Sequence, residues 1–204
     1  MEDLTSYPRH DRDAGCAADG LSDDVLLRRY ADGDASAARL LTDRLAPCSY
    51  SVALRMLGNR SDAEDIAQDA MMRLWQMAPD WVPGNAKVST WLYRVTLNLC
   101  VDLKRRKTPD RLTDISEPED GKASVVERMQ DEARRDALQS ALTHLPERQR
   151  QAVVLRHIEE LPNPEIAGIM DISVEAVESL TARGKRALAA ILAERRDELG
   201  YDDV

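Results

Sequence analysis

Residues 145–192 read LPERQRQAVVLRHIEELPNPEIAGIMDISVEAVESLTARGKRALAAIL. Glu160-Leu161-Pro162 stops one helix, because proline cannot continue it. Asn163-Pro164-Glu165 starts another: Asn163 can cap, Pro164 suits the first helical position, and Glu165 meets the positive end of the dipole. About two turns on, Asp171-Ile172-Ser173 turns the chain, and Ser173 can cap a longer helix. A short helix, a tight turn and a longer helix place the second helix in a DNA major groove. In that second helix Val177, Leu180, Gly184, Leu188 and Ile191 share one side at i, i+3/i+4 spacing. Glu175, Glu178, Ser179, Ala182, Arg183 and Arg186 share the other. That outer side reads either as a plain solvated face or as a DNA-reading one.

The rest of the chain is helix-forming. It has 204 residues, no Phe and few aromatics, and Ala, Leu, Arg and Glu favour helix. A formal net charge of −9 argues against a generally basic nucleic-acid coat. The charge is uneven, however: residues 79–107 carry six Lys or Arg against two acids, whereas residues 1–24 carry two against seven. Local charge decides phosphate attraction, since screening limits its reach to roughly 10 Å. Cys16, Cys48 and Cys100 have no paired spacing, and the three histidines complete no ligand cluster, so neither a metal site nor a disulfide framework is expected. No phosphate-binding glycine loop or nucleophile elbow is present, so neither enzymatic activity nor a cofactor is expected. With no signal-peptide pattern and no bilayer-length apolar run, a cytoplasmic protein without membrane insertion is expected.

Helices are expected from about Ser22 to Asp32 and from Asp34 to Leu57, with a kink near Pro47. Ser61-Asp62-Ala63-Glu64 reads as a capping box that opens a helix to about Met77. There Ile66, Ala70, Leu74 and Met77 face inward, and Asp62, Asp65, Gln68 and Asp69 form an acidic outer face. A proline-containing loop precedes a helix from Val88 to Lys107 with a buried stripe of Val88, Val95, Leu99 and Leu103. On another arc lie Lys87, Trp91, Arg94, Asn98 and Arg105, and Lys104-Arg105-Arg106-Lys107 closes the helix. Cations beside a planar ring and an amide suit single-stranded nucleic acid. A core tryptophan and a basic helix end are the ordinary alternative. Residues 108–123 read as a flexible acidic linker, and residues 1–21 and 196–204 as acidic tails. The expected fold is all-α: two small helical domains, at 22–107 and 124–195, joined by that linker.

Three segments together resemble the extracytoplasmic-function (ECF) group of bacterial sigma factors: DAEDIAQDAMMRLWQ (62–76), STWLYRVTLNLCVDLKRRK (89–107) and LPERQRQAVVLRHIEELPNPEIAGIMDISVEAVES (145–179). The resemblance implies sigma region 2 at 22–107 and region 4 at 124–195, and a subunit that brings core RNA polymerase to promoters and helps melt them. Asp65, Gln68 and Asp69 would dock on the polymerase clamp coiled coil, and the flap of core polymerase would be a further contact. The loop from Trp81 to Ser89, with Lys87, would capture a flipped −10 base beside Trp91, Arg94 and Asn98, and Lys104, Arg105, Arg106 and Lys107 would meet the duplex backbone. Glu175, Glu178, Ser179, Ala182, Arg183 and Arg186 would face the −35 element. The family also implies an anti-sigma partner. Glu178 replaces a usually basic residue, Glu175 adds a second acid, Pro162-Asn163-Pro164 alters the usual lead-in, and Asp171 stands where glycine is common. A sigma-like mimic that sequesters an anti-sigma factor, or an ordinary helix-turn-helix regulator, are the alternatives.

Overall fold

The computed structural model describes residues 20–84, 86–107 and 125–193, with the backbone alone for 125–132. The expected linker at 108–123 and C-terminal tail at 196–204, with residues 1–19 of the N-terminal tail, lie outside the described residues. Among the described residues there are eight α-helices and no strand, as the all-α expectation requires.

The first group is α1 (Asp23–Ala31), α2 (Ala35–Leu57), α3 (Arg60–Met77), a 3-10 turn (Ala78–Asp80) and α4 (Val88–Lys107). Ser22 caps α1, its hydroxyl accepting from the Val25 amide at 3.4 Å. Asp34 caps α2, accepting from the Ser36 amide at 2.9 Å, and these bonds to Ser36 hold its carboxyl below the ordinary range. The α2 helix runs through Pro47 as one element and ends at Gly58, whose φ of 74° closes it with an amide bond to Leu54 O at 2.8 Å. The cap of α3 is Asn59, not Ser61: Asn59 Oδ1 accepts from the Asp62 amide at 2.9 Å, so the helix starts one residue before the box.

Helix α2 is the centre of this group. Its Leu41, Leu45, Val52 and Met56 are buried against Ile66, Ala70 and Leu74 of α3 and Leu92, Leu97 and Cys100 of α4. Each such large side chain contributes roughly 2 kcal/mol when fully buried. The buried stripe of α4 is broader than expected. Leu92, Tyr93, Thr96, Leu97 and Cys100 are buried with Val88 and Leu99, while Val95 and Leu103 are only half-buried. The physical reason is that α4 is packed on two sides, by α2 and α3 on one and by the second group on the other.

The second group is α5 (Val125–His144), α6 (Glu147–Val153) running into a π turn (Val154–Ile158), α7 (Asn163–Met170) and α8 (Val174–Ala193). The expected helix-turn-helix is α7 and α8. Asp171 takes the left-handed conformation with φ 53°, and the Ile172 amide reaches back to Ala167 O at 3.1 Å. Ser173 caps α8 through the Ala176 amide at 3.3 Å. Asn163 does not cap α7; it is the first helical residue, and its amide reaches Glu178 Oε1 at 3.5 Å. Helix α8 crosses α6 at Gly184, where an added Cβ would come within 2.6 Å of Val153 Cγ2 and 3.2 Å of Gln149 O. Only glycine fits there without displacement.

The two groups share one continuous apolar core. Arg150, itself buried, donates to Met56 O of α2 at 2.8 Å, to Leu145 O at 3.1 Å and to Thr143 O. One cation thereby serves the carbonyl ends of both α2 and α5, where the dipoles are negative.

Candidate polymerase and nucleic-acid surfaces

The outer face of α3 is open. Asp65 and Gln68 are exposed, and Met72 beside them is 52% exposed. Asp69 is half-buried and accepts from Arg73 one turn on, at 3.3 and 3.2 Å. Asp62 leaves this face: both its oxygens are taken by Lys107 Nζ, at 2.8 and 2.7 Å. Ile66, Ala70 and Leu74 of α3 are buried as the periodicity predicts, together with Ala63, Ala67 and Met71, and Met77 is half-buried.

The expected −10 residues gather along α4 and the loop before it. Trp81 is half-buried, and its indole Nε1 donates to Asp24 Oδ1 at 2.6 Å, which ties the loop to the start of α1. Ser89 and Trp91 are half-buried, and Lys87, Arg94 and Asn98 are exposed. Asn85, inside the same loop, lies outside the described residues. In the basic end of the helix, Arg106 is exposed, Arg105 pairs with Asp102 at 2.6 Å, and Lys107 is held by Asp62. Lys104 turns toward α6 and is half-buried, and its pKa falls from 10.5 to about 8 because burial disfavours the ammonium and the Arg150 guanidinium repels it. The four cations therefore do not form one uniform phosphate-facing row.

The second group covers much of the α4 face. Glu165 Oε1 accepts from Thr90 Oγ1 at 2.6 Å, and Oε2 accepts from Lys87 Nζ at 3.1 Å. Glu165 was expected to serve the dipole at the start of α7; its carboxylate instead reaches across to α4. Arg94 donates to Gly168 O at 2.7 Å and Ile169 O at 3.3 Å, the otherwise unpaired carbonyls at the end of α7. Glu159, 2% exposed, accepts from Tyr93 Oη at 2.7 Å and Ser51 Oγ at 2.9 Å. Thr90, Tyr93, Glu159 and Asp24 were not singled out from the sequence. Their contacts join residues 57 to 108 positions apart, so no local spacing signals them.

The outward face of α8 stays open: Glu175, Glu178, Ser179, Ala182, Arg183 and Arg186 are all exposed, opposite buried Val177 and Gly184. Arg183 is braced on Ser179, with Nη2 at 3.0 Å from Oγ, and Arg186 Nε donates to Ala182 O at 3.3 Å. Glu175 is held below its ordinary carboxylate range by its own backbone amide and by the Ser173 hydroxyl. Among the described residues no group of His, Cys, Asp and Glu could hold a metal ion, and no helix is long and apolar enough to cross a membrane.

Comparison with known proteins agrees with this geometry. Residues 41–109 match the model for sigma-70 region 2, and residues 135–188 match sigma-70 region 4. The chain is 32% identical over 180 residues to the ECF RNA polymerase sigma factor SigW of Bacillus subtilis, covering 79% of this chain and 92% of the relative. It is 30% identical over 179 residues to the ECF RNA polymerase sigma-E factor of Escherichia coli, covering 82% and 93%. Among solved structures it is similar to CnrH in complex with the cytosolic domain of CnrY, with 26% identity, a TM-score of 0.64 and coverage of 84% and 97%. The fold is also that of the sigma factor RpoE of Bartonella quintana, solved with the anti-sigma factor NepR, at 17% identity, a TM-score of 0.63 and coverage of 76% and 96%.

Proposed function

Because the chain belongs to the ECF group of sigma-70 RNA polymerase sigma factors, we propose a division of its promoter-directing work among three surfaces. Residues 22–107 act as region 2 and residues 124–195 as region 4. Asp65, Gln68 and Asp69 dock on the clamp coiled coil of core polymerase, with exposed Met72 adding apolar area to the contact. Trp81, Lys87, Ser89, Trp91, Arg94 and Asn98 take the −10 element as a single strand. The basic end of α4 follows the duplex backbone, and α8 reads the −35 element. Core polymerase performs the chemistry, and this subunit, acting in the cytoplasm, supplies recognition and melting.

The single observation that carries this reading is the outward face of α8. On this second helix of a helix-turn-helix, six face positions stay open and two arginines are braced on it, the arrangement that a major groove requires. An anti-sigma factor is the further partner, since the similar CnrH and the fold relative from Bartonella quintana were both solved with a bound protein, named as an anti-sigma factor in the second case.

Run-off transcription with purified core polymerase on genomic fragments tests the reading. Specific transcripts that require this chain are expected. Binding to an anti-sigma factor without any promoter-directed transcript would instead identify a mimic, an outcome that the acidic Glu175 and Glu178 would then explain. Within the same assay Asn98→Ala is expected to reduce permanganate reactivity of the melted strand, because extracting a −10 base costs a few kcal/mol that its contacts must offset. Equal reactivity in the two proteins would remove Asn98 from the −10 site.

A further inference from the structure

The loop before α4 is held at its two ends and open between them. At the α4 end Val88 is buried. At the other end the Trp81 amide donates to Ala78 O at 3.3 Å, and its indole Nε1 donates to Asp24 Oδ1 at 2.6 Å. Between these ends Val82, Pro83, Gly84, Ala86 and Lys87 are exposed, and a Cβ built at Gly84 would meet nothing within 4 Å. Packing contributes little along the described residues of this stretch, so its course depends on where the two ends are fixed.

Asp24 is a firm support for one of those ends. It lies in the first turn of α1, whose Leu26 and Leu27 are fully buried. Arg44 of α2 fastens the same turn, donating to Leu21 O at 2.9 Å and to Asp23 Oδ1 at 3.0 Å. A hydrogen bond to an ionised acceptor is shorter and about twice as strong as a neutral one. Asp24 and Trp81 are both half-buried, which limits competition from water. Helix α1 carries none of the three surfaces proposed above, so Asp24 reaches the −10 element only through Trp81.

We propose that Asp24 is a positioning residue for the −10 loop: by holding the Trp81 indole it fixes the gap in which an unstacked base is taken up. Extracting a base already costs a few kcal/mol, and a gap formed in advance spares the complex the further cost of ordering the loop. The proposal rests on reading residues 81–89 as the −10 loop.

Two measurements on the full chain test it. In proton–nitrogen correlation spectra the Trp81 indole signal, assigned by its loss in Trp81→Phe, should move upfield in Asp24→Ala. It should stay near its parent position in Asp24→Asn, which keeps the acceptor oxygen. With holoenzyme formed from core polymerase and each variant, sequences are then selected from a promoter library randomised over the −10 element. The base preference at one −10 position should fall about tenfold in Asp24→Ala, the scale of one hydrogen bond to a charged group. Asp24→Asn should restore it, and affinity for core polymerase should match the parent's in both. Asp23→Ala removes the neighbouring acid of the same turn but not the indole bond, and should keep the parent's preference. An indole signal unmoved in Asp24→Ala overturns the proposal. So does an unchanged −10 preference in that variant, or an equal loss of preference in Asp23→Ala, which would assign the effect to the helix and not to the bond. Failure of the −10 reading appears separately: Lys87→Ala and Asn98→Ala would then select the parent's −10 sequences while the indole signal still responds to Asp24→Ala.

Discussion

Tyr93 Oη donates to Glu159 Oε2 at 2.7 Å across the join between the two helical groups, while Ser51 satisfies the carboxylate's other oxygen. A carboxylate 2% exposed is tolerable only while such donors stay in place. Tyr93→Phe removes one donor and leaves the oxygen buried, which should lower the urea-unfolding free energy by about 1–3 kcal/mol. Adding Glu159→Met to Tyr93→Phe should recover part of that loss, because the buried carboxylate then goes with its donor and only the half-buried Ser51 hydroxyl must find another acceptor. A double-mutant cycle with no coupling between the two positions would contradict this account.

The docking face proposed on α3 makes a prediction about affinity and not about fold. Asp65→Lys/Asp69→Lys should weaken binding to core polymerase by at least about tenfold, or about 1.4 kcal/mol. Stability should change little, since the only described partner lost is the exposed Arg73 pair, of the type worth about 0.3–0.5 kcal/mol. Co-purification of the double variant with core polymerase at the parent's level would show that the clamp binds elsewhere.

Glu178 repels phosphate but can accept from a cytosine amino group, and its carboxylate is steadied by Asn163 at 3.5 Å. Glu178→Arg should raise duplex affinity and steepen its salt dependence by about one counterion, as one repulsion gives way to one phosphate contact. It should also change the base preferred at a single −35 position. Selection from a library randomised over the −35 element should return different sequences for parent and variant; identical sequences would mean that Glu178 does not read DNA.

Stability should respond to alkaline pH in two opposed ways. Lys104 holds its proton only to about pH 8 in the folded chain, against 10.5 when unfolded. Below pH 8 both states are protonated and the folded state bears the full cost of the buried ammonium. From pH 8 upward the folded chain releases the proton first, so stability rises. Burial pushes the Cys100 thiol from 9 up to about 12, so above pH 9 the folded chain keeps a proton that the unfolded chain loses, and stability falls. The urea midpoint should therefore climb between about pH 8 and pH 9 and flatten beyond it. Lys104→Met should abolish the climb, and Cys100→Ala should extend it past pH 9.

Local chemistry was legible where the deciding groups are neighbours in sequence. Ser22, Asp34, Gly58 and Ser173 end or start helices with short-range bonds that their residue types announce. The start of α3 was missed because Asn59 and Ser61 are both good caps two positions apart; the extended backbone of Asn59, with φ −123°, decides between them. The buried stripe of α4 is broader than its local period predicts, because its second packing partner comes from residues some 70 positions away. The exposed outer face of α8 follows from period alone, since that helix is packed on one side. The polar join between the groups was invisible, as each residue there is ordinary in its own segment.

Gly184 gives α8 a seat that does not involve the six outward residues proposed to read the −35 element. The approach of α8 to α6 is set by a missing side chain against Val153 and the Gln149 carbonyl, while the six outward positions touch nothing in that contact. The outer face is in effect a replaceable cassette on a fixed mount. Exchanging those six residues as a block offers a route to redirecting the subunit to new promoters without redesigning the scaffold that carries it.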